Sequence, residues 1–486
     1  MHSPARRREL GAFYTPVDVA ERLVAIALDG IDGAPSVCDP SCGDGAFLLA
    51  AARALEARGL DRALIARDLL WGIDVDRAAV GAARGAITAW AGTSPGEHLR
   101  VADGLEDLGW SSRFDAVVGN PPFLNQLERA TVRERATRWD ECAGAYTDTA
   151  FLFVLVGLDL VRDGGRVVLV QPQSIAAARD AAGVRDAAHS RGSVIGMWTC
   201  NELVFDANAR VCAPVIQRGG SAARAVQRWY GRDVMATTAV AAERGATWSR
   251  LLVRADEPPV VELTSKDRLG SIASATAGFR DQFYGLTGHV VDREHADEHE
   301  WPRLVTCGAI DPLACTWGAR PVRYAGRRWQ HPRVDVAGIS DAAVRQWVVD
   351  RLAPKVVLAT QTKVLEATID VDGSWVPSTP VIAVHAAPDA LFRVLAVLLA
   401  PPVSAWAAAG FAGTALASDA IKLSARQVLD APLPVHDALW AEAVSALVAG
   451  DLQRAGRLMT AAYDSNDDVF EWWSRRLPVA RVVRTQ

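Results

Sequence analysis

The chain has 486 residues, half of them hydrophobic and 22% charged, with a formal net charge of −5. That length exceeds what one hydrophobic core holds, so two or three domains are expected. The acidic balance excludes a generally basic nucleic-acid binder, and any basic surface must be local. Seven cysteines lie scattered without paired ligand spacing, so Cys38 and Cys42 read as reduced packing residues and no metal site is expected.

In chain order, Met1 to Arg8 is basic but no apolar run follows it, so no signal peptide is expected. Thr15-Pro16 ahead of Val17 to Leu28 predicts an N-cap and a proline in the first helical turn. A short strand then ends at Asp39 and passes through Pro40-Ser41-Cys42-Gly43-Asp44-Gly45 into an Ala/Leu-rich helix. Glycines at 43 and 45 let backbone approach a ligand without a Cβ in the way. The spacing is not Gly-x-Gly-x-x-Gly, and an acid leads in, so a pyrophosphate is a poor guest. A zwitterionic amino acid bearing a sulfonium fits better. Leu69 to Asp74 predicts a second strand closing on Asp74, placed to accept from ribose hydroxyls, with Asp76 capping a helix over Arg77 to Trp90. His98 to Ala102 predicts a third strand closing on Asp103.

Ala116 to Val118 is an apolar, β-prone run that stops at Gly119-Asn120-Pro121-Pro122-Phe123. Each proline fixes φ at about −65° and donates no hydrogen bond, so the corner is stiff. The side-chain oxygen of Asn120 and the carbonyl of Pro121 are two acceptors held close together, with the flat ring of Phe123 beside them. Such a set suits a planar group bearing an NH₂. Beyond it, Gln126 to Glu141 is polar and reads as a mobile loop near the substrate. A capped helix (Ala150 to Val161), a strand (Arg166 to Pro172), a helix (Ser174 to His189) and two strands (Val194 to Trp198, Val211 to Gln217) follow.

Asn-Pro-Pro-Phe after an apolar strand, with acids closing the strands at 39, 74 and 103, resembles the γ-type, TaqI-like adenine-N6 DNA methyltransferases of restriction–modification systems. The resemblance covers roughly residues 11 to 217. It implies an α/β fold: a doubly wound Rossmann-like methyltransferase sheet with a terminal antiparallel hairpin, followed by an α+β target-recognition domain. It implies S-adenosylmethionine as cofactor, bound by Tyr14, Thr15, Asp39, Pro40, Gly43, Gly45, Asp74, Asp103 and Asn120, with Tyr14 and Thr15 at its methionine end. Asn120, Pro121 and Phe123 would act on a flipped adenine, and Phe205 would pack against that base. Phe123 stands where the TaqI-like pattern has tyrosine, and Asp39 where it has a longer acid.

The second half carries a basic cluster in this acidic chain: Arg320, Arg323, Arg327, Arg328 and Arg333, interleaved with Tyr324, Trp329 and His331. These arginines are the candidate DNA contacts. A β-rich segment (Lys355 to Lys363), a turn at Asp372-Gly373, a strand toward Val384 and a helix (Ala390 to Leu399) follow. Leu391 to Phe411 is apolar but carries Arg393 and Pro401-Pro402, which argues against a membrane span. Expected domains are 1–250 for methyl transfer, 251–435 for target recognition and 436–486 as terminal helices. The protein thus reads as a cytoplasmic enzyme acting on double-stranded DNA, with a separate restriction nuclease or defence-complex subunit compatible as partner. An RNA or protein-glutamine N-methyltransferase and a catalytically silent DNA-specificity subunit are the alternatives.

Overall fold

The computed structural model describes residues 15–107, 109–123, 147–200, 210–220, 224–241, 247–252, 258–278, 280–411 and 420–478, with Trp139, Cys142 and Glu202. The chain divides into two compact units, Met1–Arg254 and Ala255–Gln486.

In the first unit, helix and strand alternate as the hydrophobic runs dictate. Helix α1 (Val17–Leu28) precedes β1 (Val37–Asp39), α2 (Ala46–Ala57), β2 (Leu70–Asp74), α3 (Arg77–Ala91), β3 (Leu99–Val101) and β4 (Phe114–Gly119). Then come α4 (Thr149–Leu160), β5 (Val161–Leu169), β6 (Gln171–Pro172), α5 (Ala182–Arg191), β7 (Gly192–Cys200), β8 (Val211–Arg218), β9 (Ala225–Tyr230) and β10 (Met235–Ala241). One sheet runs β10-β9-β7-β8-β5-β4-β1-β2-β3, with β6 paired to β8 off this path. Strands β1 to β5 are parallel, and β8 enters antiparallel between β5 and β7.

Parallel strands between crossover helices are covered on both faces, which is why they read as continuous apolar runs. Alternate residues serve the two faces. Ala116, Val118, Val168 and Val170 pack with α1, α2 and α3, while Val117, Val167 and Leu169 pack with α4 and α5. Helix α4 is buried all round except near Asp159, as its unbroken Phe-Leu-Phe-Val-Leu-Val sequence requires. Each buried Leu, Val or Phe side chain contributes about 1.5–3 kcal/mol, so the framework that carries the strand ends is stiff.

Three local expectations are revised. The expected helix over Ser174 to His189 is not continuous: two 3₁₀ turns (Gln173–Ala176, Arg179–Ala181) precede α5. The expected antiparallel pair of β7 and β8 is present, but β9 and β10 extend that edge as a further antiparallel pair. Thr15 does not cap α1. Its hydroxyl accepts instead from the Asn120 side-chain Nδ2–H at 3.1 Å.

Among its described residues the second unit holds two two-stranded hairpins and two four-stranded sheets. Ala273–Ala277, Ile382–Ala386, Lys355–Leu358 and Ala367–Asp370 form one, in that spatial order. Its core is shared with helices Leu391–Leu399, Pro401–Phe411, Asp437–Val448, Leu452–Ala462 and Asp467–Arg476. Among the described residues no single helix is long and apolar enough to cross a membrane. Val290–Asp292, Pro332–Val334, Arg303–Val305 and Trp375–Pro377 form the other sheet. A fully buried Lys355 pairs with the buried Asp370 carboxylate, which also accepts from the N–H groups of Ser374 and Trp375. The Asp372-Gly373 turn is thereby tied to the sheet, with Gly373 at φ +70°.

Candidate active site at the carboxyl edge of the sheet

Asp39, Asp74 and Asn120 all stand at the carboxyl ends of parallel strands or one residue beyond, because each apolar run stops there. This edge is where open α/β sheets hold their ligands. Asp39 is only 1% exposed, and its Oδ1 accepts from the Ser41 N–H at 3.0 Å. Burial pushes its carboxyl up to about 8, against the Ser41 hydrogen bond, and the neighbouring Asp74 charge adds to the rise. Asp74 is raised in the same direction, again chiefly by burial. Its Oδ2 accepts from the Gly43 N–H and its Oδ1 from the Asp76 N–H, each at 2.9 Å. Asp76 caps α3, accepting from the Ala78 N–H at 2.9 Å. Two desolvated carboxyls whose ionisation is opposed suit a cationic guest, which would restore both to carboxylates.

The two loop glycines do different work. Gly43, at φ +53°, faces open space, with nothing within 4 Å of where a Cβ would stand. Gly45, at φ +93°, is pressed by α3 instead: its Cβ would meet the Ala83 Cβ at 3.0 Å. Gly43 thus fits the expectation of backbone offered to a ligand. Gly45 serves the left-handed start of α2 and its packing on α3.

Two further glycines, not singled out by motif, bind the loops together. A Cβ on Gly119 would overlap the Asp39 carboxylate, and one on Gly104 would overlap the Pro40 carbonyl. The Asp103-Gly104 turn therefore lies backbone to backbone on Pro40, and the Gly119-Asn120 turn lies with its backbone against the Asp39 side chain. A glycine directly before Asn-Pro-Pro and one directly after Asp103 were the signals available in the sequence. Asp103 lies two residues past β3 rather than at its end, with Oδ1 accepting from the Leu105 N–H at 3.0 Å. The Asn120–Thr15 bond sets the amide orientation, with the donor end facing Thr15 and the acceptor end turned the other way. Phe123 is half-buried and packs against the core on the α1–α3 face. Tyr14, Phe205 and most of the 126–141 segment lie outside the described residues.

In the second unit the five arginines do not form one patch. Arg333 is 3% exposed and donates to the carbonyls of Arg293, Glu294 and Trp301 at 2.9, 3.1 and 2.8 Å. It also lies over the Trp317 ring. Arg320 donates to Asp311 at 2.7 Å and to the Gly308 carbonyl at 3.1 Å. Both hold the fold, because a guanidinium beside buried carbonyls or a carboxylate satisfies them better than water reaching in. Arg323, Arg327 and Arg328 are exposed on a hairpin, Val322–Tyr324 with Arg327–Trp329. No ion pair or hydrogen bond to another described residue holds the side chain of any of the three.

A parallel sheet ordered 3-2-1-4-5 and continued by an antiparallel strand, with acids and Asn-Pro-Pro-Phe at its carboxyl edge, defines a Rossmann-like doubly wound domain. Residues 1–223 match the family model described as N-6 DNA Methylase. It is 34% identical over 126 residues to the type II methyltransferase M.MamI of Microbacterium ammoniaphilum, covering 24% of this chain and 34% of that protein. It is 32% identical over 138 residues to the type II methyltransferase M.BanIII of Aneurinibacillus aneurinilyticus, covering 24% of this chain and 23% of that protein. The chain thus matches a third or less of the length of these relatives. In fold it is similar to the type IIL restriction–modification enzyme MmeI in complex with DNA, at a TM-score of 0.65 and 12% identity, covering 97% of this chain and 77% of that one.

Proposed function

We propose that the chain is a site-specific DNA methyltransferase of a restriction–modification system, moving a methyl group from S-adenosylmethionine to N6 of a flipped adenine in duplex DNA. The observation that carries this reading is the Asn-Pro-Pro corner seated on the Asp39 carboxylate through Gly119, with its asparagine oriented by Thr15. S-adenosylmethionine supplies an electrophilic methyl group on a sulfonium. Asp39, Asp74 and the open Gly43 loop fit its ammonium, ribose and backbone needs, with Asp103 at the adenine end.

Asn120 Oδ1 and the Pro121 carbonyl accept from the amino group of the target base and draw its lone pair out of ring conjugation. They also stabilise the positive charge that develops on nitrogen, and Phe123 supports the ring face. Flipping costs a few kcal/mol of unstacking, which contacts elsewhere on the chain must offset; Arg323, Arg327 and Arg328 are the candidates. The matched family model, described as N-6 DNA Methylase, favours DNA over RNA or protein glutamine as acceptor.

Asn120→Ala tests the reading. Cofactor affinity by calorimetry should stay within a few-fold while adenine methylation falls by about 100-fold or more. Full activity in that variant would remove the assignment.

A further inference from the structure

We propose that the hairpin Val322–Tyr324/Arg327–Trp329 reads guanine in the target duplex, with Arg323 and Arg328 as the base-reading pair and Arg327 as a phosphate contact. This rests on the DNA-methyltransferase reading and adds to it which chemistry sets the target sequence.

The hairpin turns at Ala325 (φ +49°) and Gly326 (φ +78°), the two positive φ angles of a tight hairpin turn whose twist matches its strands. Register places Arg323 directly opposite Arg328, between the pairs Val322–Trp329 and Tyr324–Arg327. Side chains alternate across a ribbon. Val322 and Tyr324 go into the core, and the Arg323–Arg328 pair stands on the outward face. The inner face is fastened: the Tyr324 hydroxyl donates to the Phe283 carbonyl at 3.0 Å and the Trp329 Nε1–H to the Tyr324 carbonyl at 3.1 Å. Beside it, Tyr284 is 60% exposed.

Like charges directly opposite on an antiparallel pair repel. Here no described acid offsets them, although Arg320 and Arg333 nearby are both engaged. A fixed ribbon carrying two unopposed guanidiniums on one face is a receptor for a polyanion with acceptors at its surface. A two-stranded ribbon fits the major groove, where its outward face meets base edges, and arginine is the fork that matches guanine O6 and N7. Arg327, next to the turn, lies at the ribbon's rim, where the groove wall is phosphate.

The test is selection of bound duplexes from a randomised DNA library by the full chain with S-adenosylhomocysteine, at fixed salt. The wild-type motif should contain guanine. Arg323→Ala or Arg328→Ala should each lower discrimination at one guanine position by about 5- to 150-fold. Arg328→Lys, which keeps the charge, should lose that discrimination too. Arg327→Ala should weaken binding without changing the motif. A motif lacking guanine, or one unchanged in both alanine variants, overturns the inference. Because selection reads binding and not methyl transfer, an inactive enzyme with this guanine dependence would count only against the proposed reaction.

Discussion

The carboxyl edge of the first unit and the arginine hairpin of the second place polar groups by opposite means. At the edge the polar groups are restrained: Asp39 by Ser41 and Gly119, Asp74 by Gly43 and Asp76, Asn120 by Thr15. On the hairpin the backbone is restrained and the charged tips are not. Chemistry that must hold atoms to within about 1 Å needs the first arrangement. Recognition of a flexible polyanion tolerates the second.

The contrast breaks most readily at Gly119. Gly119→Ala drives a methyl group into the Asp39 carboxylate, so the corner must shift. Methyl transfer should fall by at least about 100-fold, with about 1–3 kcal/mol of stability lost, measured by turnover and urea unfolding. Wild-type behaviour would mean the two turns do not touch in solution.

Within the second unit, Arg333→Ala leaves three partly buried carbonyls without their donor and should cost about 1–3 kcal/mol. Arg328→Ala should change stability by no more than about 0.5 kcal/mol. Equal losses would mean that the hairpin arginines also carry the fold.

A pH series sharpens the picture of the edge. Burial raises the Asp39 carboxyl from the ordinary carboxylate range to about 8, so the ligand-free fold prefers the neutral acid. Its contribution to stability is fully present below about pH 4 and is lost as pH rises through about 8. A cationic ligand prefers the carboxylate, so cofactor affinity should rise across the same window and level off near pH 8. Asp39→Asn should flatten the stability profile in thermal melts. An unchanged slope would assign the titration to Asp74 or another group. The smallest effect is expected for Arg327→Ala, which should reduce the salt slope of DNA binding by about 1.

Much of the edge was legible because the signals there are local. A strand that stops at an acid, a glycine turn and a double proline each act within a few residues, so Asp39, Asp74 and the Asn120 corner fell where spacing put them. The touching of Gly119 with Asp39 was not, since it joins positions eighty residues apart in the chain. The hairpin β9–β10 was not expected, although Tyr230-Gly231 within an apolar-alternating stretch marks a turn. The arginine cluster was the least legible. Composition gathers five cations, but only tertiary contacts separate Arg320 and Arg333 from the exposed three.

Because Arg323 and Arg328 support no neighbour, either can be exchanged without disturbing the scaffold beneath. Under the proposed reading, a single codon change at either position would redirect recognition to new sequences while leaving the reaction intact, an economy that favours diversification of specificity over invention of new catalysts.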